Sequence, residues 1–353
     1  MKVPVHVEVE IKPECRLSRL EIVDKMASFL RDSCPLFQNG KVTINCESFA
    51  NSVRICDLFE DQSVSYWQAE LCIHAYRLSE QANESDFIEG EENLPACDQW
   101  ELPNIFLHGL WDSIIVEDVI KNRLIGYCSS SMQFSEAEVD PNIISWNRMV
   151  LLHGPPGTGK TTLCKALAQK LFIRNSHRYL SGMLLEVNSH SLFSKWFSES
   201  GKLVMKMFSH IQELAEDRSC LVVVLIDEVE SITSSRSSSG NSNEPGDAVR
   251  VVNAVLTSLD SLKRLPNVLL MCTSNLIDSV DSAFMDRVDM KVFLGPPPLR
   301  ARYLILQSCL SELMDKRIIA PRCDFAASFD DLLTKFQTLS DTYSGGDLEA
   351  YCK

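Results

Sequence analysis

Residues Gly154 to Thr161 read GPPGTGKT, which fits the spacing G-x-x-x-x-G-K-[ST]. The spacing has a chemical reason. Gly157 and Gly159 carry no Cβ, so successive backbone N–H groups can turn inward and close on a phosphate. Lys160 sets a cation beside the β- and γ-phosphates of a nucleoside triphosphate, and the Thr161 hydroxyl suits Mg2+ ligation. Gly154, Pro155, Pro156, Gly157, Thr158, Gly159, Lys160, Thr161 and Thr162 are therefore the expected nucleotide contacts.

A second group completes a hydrolysis site. Leu221 to Glu228, LVVVLIDE, is an apolar run ending in two acids. Asp227 is placed to join Thr161 in the Mg2+ shell, and Glu228 suits a general base that polarises the attacking water. Asn275 ends the next apolar run, where its amide can bridge that water and the γ-phosphate; asparagine is also a common turn residue. Arg287 has two readings from its position: a finger toward a neighbouring subunit's γ-phosphate, or a surface salt bridge to Asp286 or Asp289. The expected catalytic set is Lys160, Asp227, Glu228, Asn275 and Arg287, with ATP and Mg2+ as cofactors.

These residues need elements that aim them. Met149–His153 is an apolar run of buried-strand type, and 162–172 has helical spacing, so a helix N-terminus points at the anion. Further strands are expected at Leu184–Asn188, Leu221–Asp227, Val268–Ser274 and Lys291–Leu294, with helices between most of them. That alternation predicts an α/β fold, a parallel sheet with helices on both faces. The N-terminal part mixes strand alternation at Val3, Val5, Val7, Val9 and Ile11 with a helical stretch from Leu17 to Leu30 and strands at Lys41–Cys46 and Glu70–Tyr76. An acidic stretch from Glu80 to Glu92 reads as a loop or domain edge. After Gly295 the pattern is helical only, near 299–313 and 329–339, and predicts a small helical lid. The expected domains are 1–100 (α+β), 101–295 (ATP-binding α/β) and 296–353 (lid). Ser231 to Gly246 is rich in serine, glycine and asparagine and reads as a mobile insertion.

Composition bounds the rest. The 353 residues are 45% hydrophobic and 23% charged, ordinary for a globular chain of two or three domains. No apolar run is long enough to span a bilayer. The 13 cysteines are scattered without C-x-x-C spacing, which favours reduced thiols over a zinc site or a disulfide framework. A net charge of −14 argues against nucleic acid as the main partner, so an origin or clamp-loading reading is disfavoured.

The order of these motifs resembles the AAA+ ATPases over roughly residues 106 to 350. Ser194 to Ser200, SKWFSES, resembles the first pore loop of ring-forming unfoldases, with Lys195, Trp196 and Phe197 at its centre; burial in a core is the other fate of such aromatics. Asp247 to Asp260, DAVRVVNAVLTSLD, resembles the second region of homology, whose helix lies near the subunit interface. With His108 to Ser113 and Ile144 to Arg148, the chain is identified as a member of the pachytene-checkpoint AAA+ family, also called thyroid-hormone-receptor-interactor ATPases. The resemblance implies a homo-hexameric ring that converts HORMA-domain proteins from a closed to an open form by pulling on their N-terminal segment. The implied substrates are mitotic-checkpoint and meiotic-axis HORMA proteins, the former presented by a comet-type HORMA adaptor. It further implies N-terminal docking, checkpoint and meiotic roles, and residence in nucleus, chromosomes and cytoplasm. The run lengths themselves speak against a membrane partner, and the sequence places adenine contacts no more closely than around Leu110 to Ile114.

Two departures stand out. Ser344-Gly345-Gly346-Asp347 has Gly346 where the family has a second sensor arginine, and the chain stops at Lys353 where the family continues in helix. Both bear on hexamer formation and hydrolysis, and they define the alternative reading: a nucleotide-binding interaction protein that engages HORMA partners without remodelling them.

Overall fold

Alternation does build the first strand, but both of its faces are put to use. The computed structural model describes residues 2–42, 49–56, 58, 63–82, 84–88, 94–140, 143–144, 146–188, 200–233 and 245–319. It forms two compact units, residues 1–114 with 118–295 and residues 115–117 with 296–353. In the first unit β1 (Val3–Ile11) is followed by α1 (Arg19–Ser33), β2 (Leu36–Phe37), β3 (Gly40–Lys41), β4 (Ala50–Cys56), β5 (Val64–Ser65) and β6 (Ala69–Tyr76). Four of these strands make a sheet in the order β3-β4-β1-β6, antiparallel except for the β1–β6 pair. A capping box starts α1: the Ser18 hydroxyl accepts from Glu21 N–H, and the Glu21 carboxylate accepts from Ser18 N–H. Val5, Val7, Val9 and Ile11 pack with Ile22, Met26 and Leu30 of α1 in a local core. The intervening His6 and Glu8 lie on the opposite face, as strand period 2 requires.

The acidic stretch is not simply a loop. β7 (Glu84–Ile88) and β8 (Leu94–Leu102) pair antiparallel, and β8 pairs antiparallel with β10 (Ser181–Asn188). The expected domain edge at residue 100 thus falls inside β8, a strand already hydrogen-bonded into the large sheet. Cross-strand pairing over the full length of β8 overrides the local charge pattern.

Then come α2 (Leu110–Ser113), α3 (Asp118–Glu136), β9 (Met149–His153), α4 (Lys160–Arg174), β10, α5 (Ser200–Glu216), β11 (Cys220–Asp227), α6 (Glu230–Thr233), α7 (Pro245–Leu262), β12 (Val268–Ser274), α8 (Ser282–Met285) and β13 (Met290–Phe293). The large sheet runs β13-β9-β12-β11-β10-β8-β7; its first five strands are parallel, and β8 and β7 make it mixed. Val222, Val224 and Ile226 of β11 join Val204, Phe208 and Ile211 of α5 and Val255 and Leu259 of α7 in one core. Leu221, Val223 and Leu225 are fully buried on the other face, where α4 packs. A strand buried on both faces reads as an unbroken apolar run, which is how β11 appears in the sequence.

The second unit contains α9 (Leu299–Asp315). The expected helix near 329–339 and the Ser344-Gly345-Gly346-Asp347 segment lie outside the described residues, as do Lys195, Trp196, Phe197 and most of the serine-rich insertion. Among the described residues the cysteines form no disulfide, and burial pushes the thiols of Cys128, Cys164 and Cys272 up, Cys128 to about 12.

Candidate ATP-hydrolysis site

Strand register brings the expected residues together. β12 lies between β9 and β11, so its C-terminal end stands between the phosphate loop and the two acids. Ser274 pairs with His153 on one side, and Ile226 pairs with Cys272 on the other, which sets Asp227 beside Thr273. A crevice outside the carboxyl ends of parallel strands is where α/β sheets bind ligands.

The loop is anchored at its first glycine. Gly154 has φ 145°, donates its N–H to the Ser274 carbonyl at 3.2 Å, and lies so close to the residue that follows β13 that a Cβ would stand 2.1 Å from the Leu294 carbonyl oxygen. Gly157 and Gly159 have φ of 76° and 84° with open space where a Cβ would go, so there the need is for left-handed backbone alone. Lys160 opens α4, is 6% exposed, and donates to the carbonyls of Gly154 and Pro155, each at 2.8 Å. Burial pushes its ammonium below the usual lysine range, while Glu230, Asp227 and Glu228 pull it back.

The acids are held by hydroxyls. Asp227 Oδ1 accepts from Thr161 Oγ1 at 2.9 Å and from Thr273 Oγ1. Glu228 has φ 52°, unusual for a residue with a side chain, and its N–H donates to Thr273 Oγ1 at 3.1 Å. Asn275 Nδ2 donates to Glu228 Oε1 at 3.3 Å, and Asn275 N–H donates to Glu230 Oε1 at 2.9 Å. Thus Lys160, Thr161, Asp227, Glu228 and Asn275 converge. Thr273 and Glu230 belong to the same constellation and escape a motif reading, since only the β11–β12 register and the turn after Glu228 place them there.

Arg287 is set apart. It makes a two-pronged pair with Asp260, Nε to Oδ1 at 2.9 Å and Nη2 to Oδ2 at 2.7 Å, and donates from Nη1 to the Ala283 carbonyl at 2.6 Å. The expected salt-bridge partners were Asp286 or Asp289, and the structure corrects this to Asp260 at the end of α7, close in space though distant in sequence. Asp289 instead accepts from the Tyr127 hydroxyl at 2.7 Å and from Asn147 N–H at 2.8 Å, tying α3 to the start of β9. The Arg287 hydrogen bond lowers the Asp260 carboxyl below its usual range and raises the guanidinium in return. Leu110 to Ser113, expected near adenine, form α2 against α4, with Asp112 ion-paired to Arg54.

A phosphate loop at a helix N-terminus, two acids at the end of the second strand away and an asparagine just past the strand between them define an ATPase of the AAA class. Residues 150–296 match the family model described as "ATPase family associated with various cellular activities (AAA)", and residues 1–81 match the TRIP13 N-terminal domain. The chain is 49% identical over 326 residues to the Pachytene checkpoint protein 2 homolog of Danio rerio, covering 90% of this chain and 76% of that protein. Its counterpart in Homo sapiens is 46% identical over 327 residues with the same coverage. The solved structure of C. elegans PCH-2 superposes with a TM-score of 0.74 at 36% identity, over 94% of this chain and 82% of that one. At 18% identity and a TM-score of 0.51, the structure of an E. coli MS115-1 HORMA:CdnC:Trip13 complex shares the fold over 66% of this chain and 84% of that one. The chain belongs to the pachytene checkpoint protein 2 family of AAA ATPases, as its motifs imply.

Proposed function

We propose that this ATPase is a ring-forming motor that converts HORMA-domain proteins from a closed to an open form. The observation that carries the catalytic part is the bonded series Thr161–Asp227–Thr273–Glu228–Asn275 at the mouth of the phosphate loop. These residues fit Mg2+ and ATP: a hydroxyl and a carboxylate meet at 2.9 Å beside backbone free to close on phosphate. Bound Mg2+ supplies charge neutralisation on the β- and γ-phosphates. Thr161 and Asp227 are the residues to hold it, with Lys160 on the phosphates. Glu228 takes the proton of the attacking water as general base, and Asn275 keeps that carboxylate in place until the water arrives.

Arg287 serves a neighbouring subunit's site in a homo-hexamer, aimed by Asp260. Lys195, Trp196 and Phe197 grip an extended substrate segment in the pore, where aromatic bulk engages backbone without reading sequence. The N-terminal sheet is the docking module for the HORMA substrate and a comet-type adaptor. Support for the partner class comes from family membership and from the HORMA complex of the distant E. coli structure. Checkpoint and meiotic use, with residence on chromosomes, in the nucleus and in the cytoplasm, follow from the same reading.

The test mixes the chain with a closed HORMA protein, its adaptor and ATP, and follows conversion to the open form alongside phosphate release. Conversion that stops on Trp196→Ala while basal hydrolysis continues is the expected result. Nucleotide binding without turnover or conversion in the parent chain contradicts the proposal and leaves an interaction protein.

A further inference from the structure

We propose that Thr273 is a positioning residue for both acids of the site, setting the Asp227 carboxylate for Mg2+ and the Glu228 backbone for water activation. The inference deepens the catalytic reading above and rests on it. Thr273 is 2% exposed, and its one hydroxyl serves two neighbours at once. As donor it reaches Asp227 Oδ1, the oxygen that also accepts from Thr161. As acceptor it takes the N–H of Glu228 at 3.1 Å. Its own carbonyl accepts the N–H of Val229 at 3.0 Å, so the two peptides that flank the Glu228 α-carbon are both pinned to Thr273.

The arrangement has a physical purpose. A carboxylate that ligates through a cation's hydration shell needs a fixed rotamer, and the two hydroxyls define one. Glu228 sits at φ 52°, a conformation that persists only where its surroundings over-determine it. The Thr273 hydroxyl and carbonyl supply that constraint on the strand that also ends in Asn275. A valine has the same shape and β propensity but neither donates nor accepts, so Thr273→Val removes both bonds and leaves the Glu228 N–H without its acceptor.

The experiment measures N-methylanthraniloyl-ATP affinity of the full chain in EDTA and across a Mg2+ titration, with steady-state ATPase read over the same titration. Thr273→Val is expected to keep EDTA affinity within about twofold, to raise half-saturating Mg2+ about tenfold, and to lower turnover at saturating Mg2+ about tenfold. Thr273→Ser, which retains the hydroxyl, restores both. Should the valine variant fail to accumulate with a parental melting profile, Thr273→Ala takes its place in the same titration. Parental Mg2+ dependence in the hydroxyl-free variant overturns the proposal, and so does a serine variant as impaired as valine, since packing alone would then explain the loss. Asp227→Asn runs in parallel to separate the layers. If Asp227→Asn leaves the Mg2+ titration unchanged, the metal assignment itself falls; if it shifts the titration and Thr273→Val does not, only the role of Thr273 falls.

Discussion

The Glu8 carboxylate and the Lys170 ammonium meet at 2.5 Å, with side chains 9% and 5% exposed, and join the first strand of the chain to the helix that begins at the phosphate loop. Burial alone would push Glu8 up, but the charge and hydrogen bond of Lys170, with Arg174 nearby, hold it below the usual carboxylate range. Removing one member strands the other in a dry setting. Glu8→Ala or Lys170→Met alone is expected to cost about 3–5 kcal/mol in denaturant unfolding, while Glu8→Leu with Lys170→Met recovers most of it. Single variants with parental midpoints would show that the sheet does not sit against α4 in solution.

The same interface carries an acid-sensitive pair. His6 Nδ1 and His74 Nε2 share a hydrogen bond at 3.0 Å, and burial above all lowers His6 to about 3 and His74 to about 4, with the nearby Lys170 ammonium adding to it and the Glu8 carboxylate opposing it. Both folded values lie below the unfolded 6.5, so protons bind the unfolded chain preferentially. Stability is full above pH 6.5 and falls as pH drops toward 4, by a few kcal/mol in order of magnitude. Unfolding midpoints measured across that range check the slope. His74→Phe is expected to flatten it, at some expense in absolute stability.

Two glycines of the phosphate loop should respond differently. Gly154→Ala forces a Cβ to within 2.1 Å of the Leu294 carbonyl at φ 145°, so severe destabilisation, about 4 kcal/mol or more, is expected. Gly157→Ala meets open space, and its left-handed φ costs about 1–2 kcal/mol. It should fold and bind nucleotide weakly. Thermal melts and nucleotide titrations distinguish the two; equal behaviour would mean that the Leu294 backbone does not press on the loop.

Much of this is legible in the sequence, and the remainder has specific physical causes. β9, β12 and the two acids follow from apolar runs bounded by motif residues, because strands buried on both faces announce themselves in composition. Glu8 was hidden for the opposite reason: its strand alternates like one with a solvated face, yet that face is covered by α4. The pairing of Arg287 with Asp260 joins residues from different elements, which no local pattern encodes. The acidic stretch hides its strand because charge density predicts exposure, and an edge hairpin is compatible with exposed charge.

Asp260 is expected to set the direction of Arg287. If Arg287 acts across a subunit boundary, Arg287→Ala lowers hydrolysis by the assembled enzyme about a thousandfold or more. Asp260→Asn then gives a smaller loss in kcat with nucleotide KM unchanged. Hydrolysis by Arg287→Ala within about twofold of parent would reduce the pair to a local tie between α7 and α8, the ordinary worth of an exposed ion pair.

In the proposed mechanism Glu228, held by Thr273 at its backbone and by Asn275 at its side chain, activates water for ATP hydrolysis. Single-turnover hydrolysis of radiolabelled ATP by Glu228→Gln, with nucleotide affinity measured on the same sample, tests it most directly. Affinity within about threefold of parent is expected, with a chemical step slowed by a factor on the order of a hundred to ten thousand. An unchanged rate of hydrolysis at unchanged affinity would contradict it.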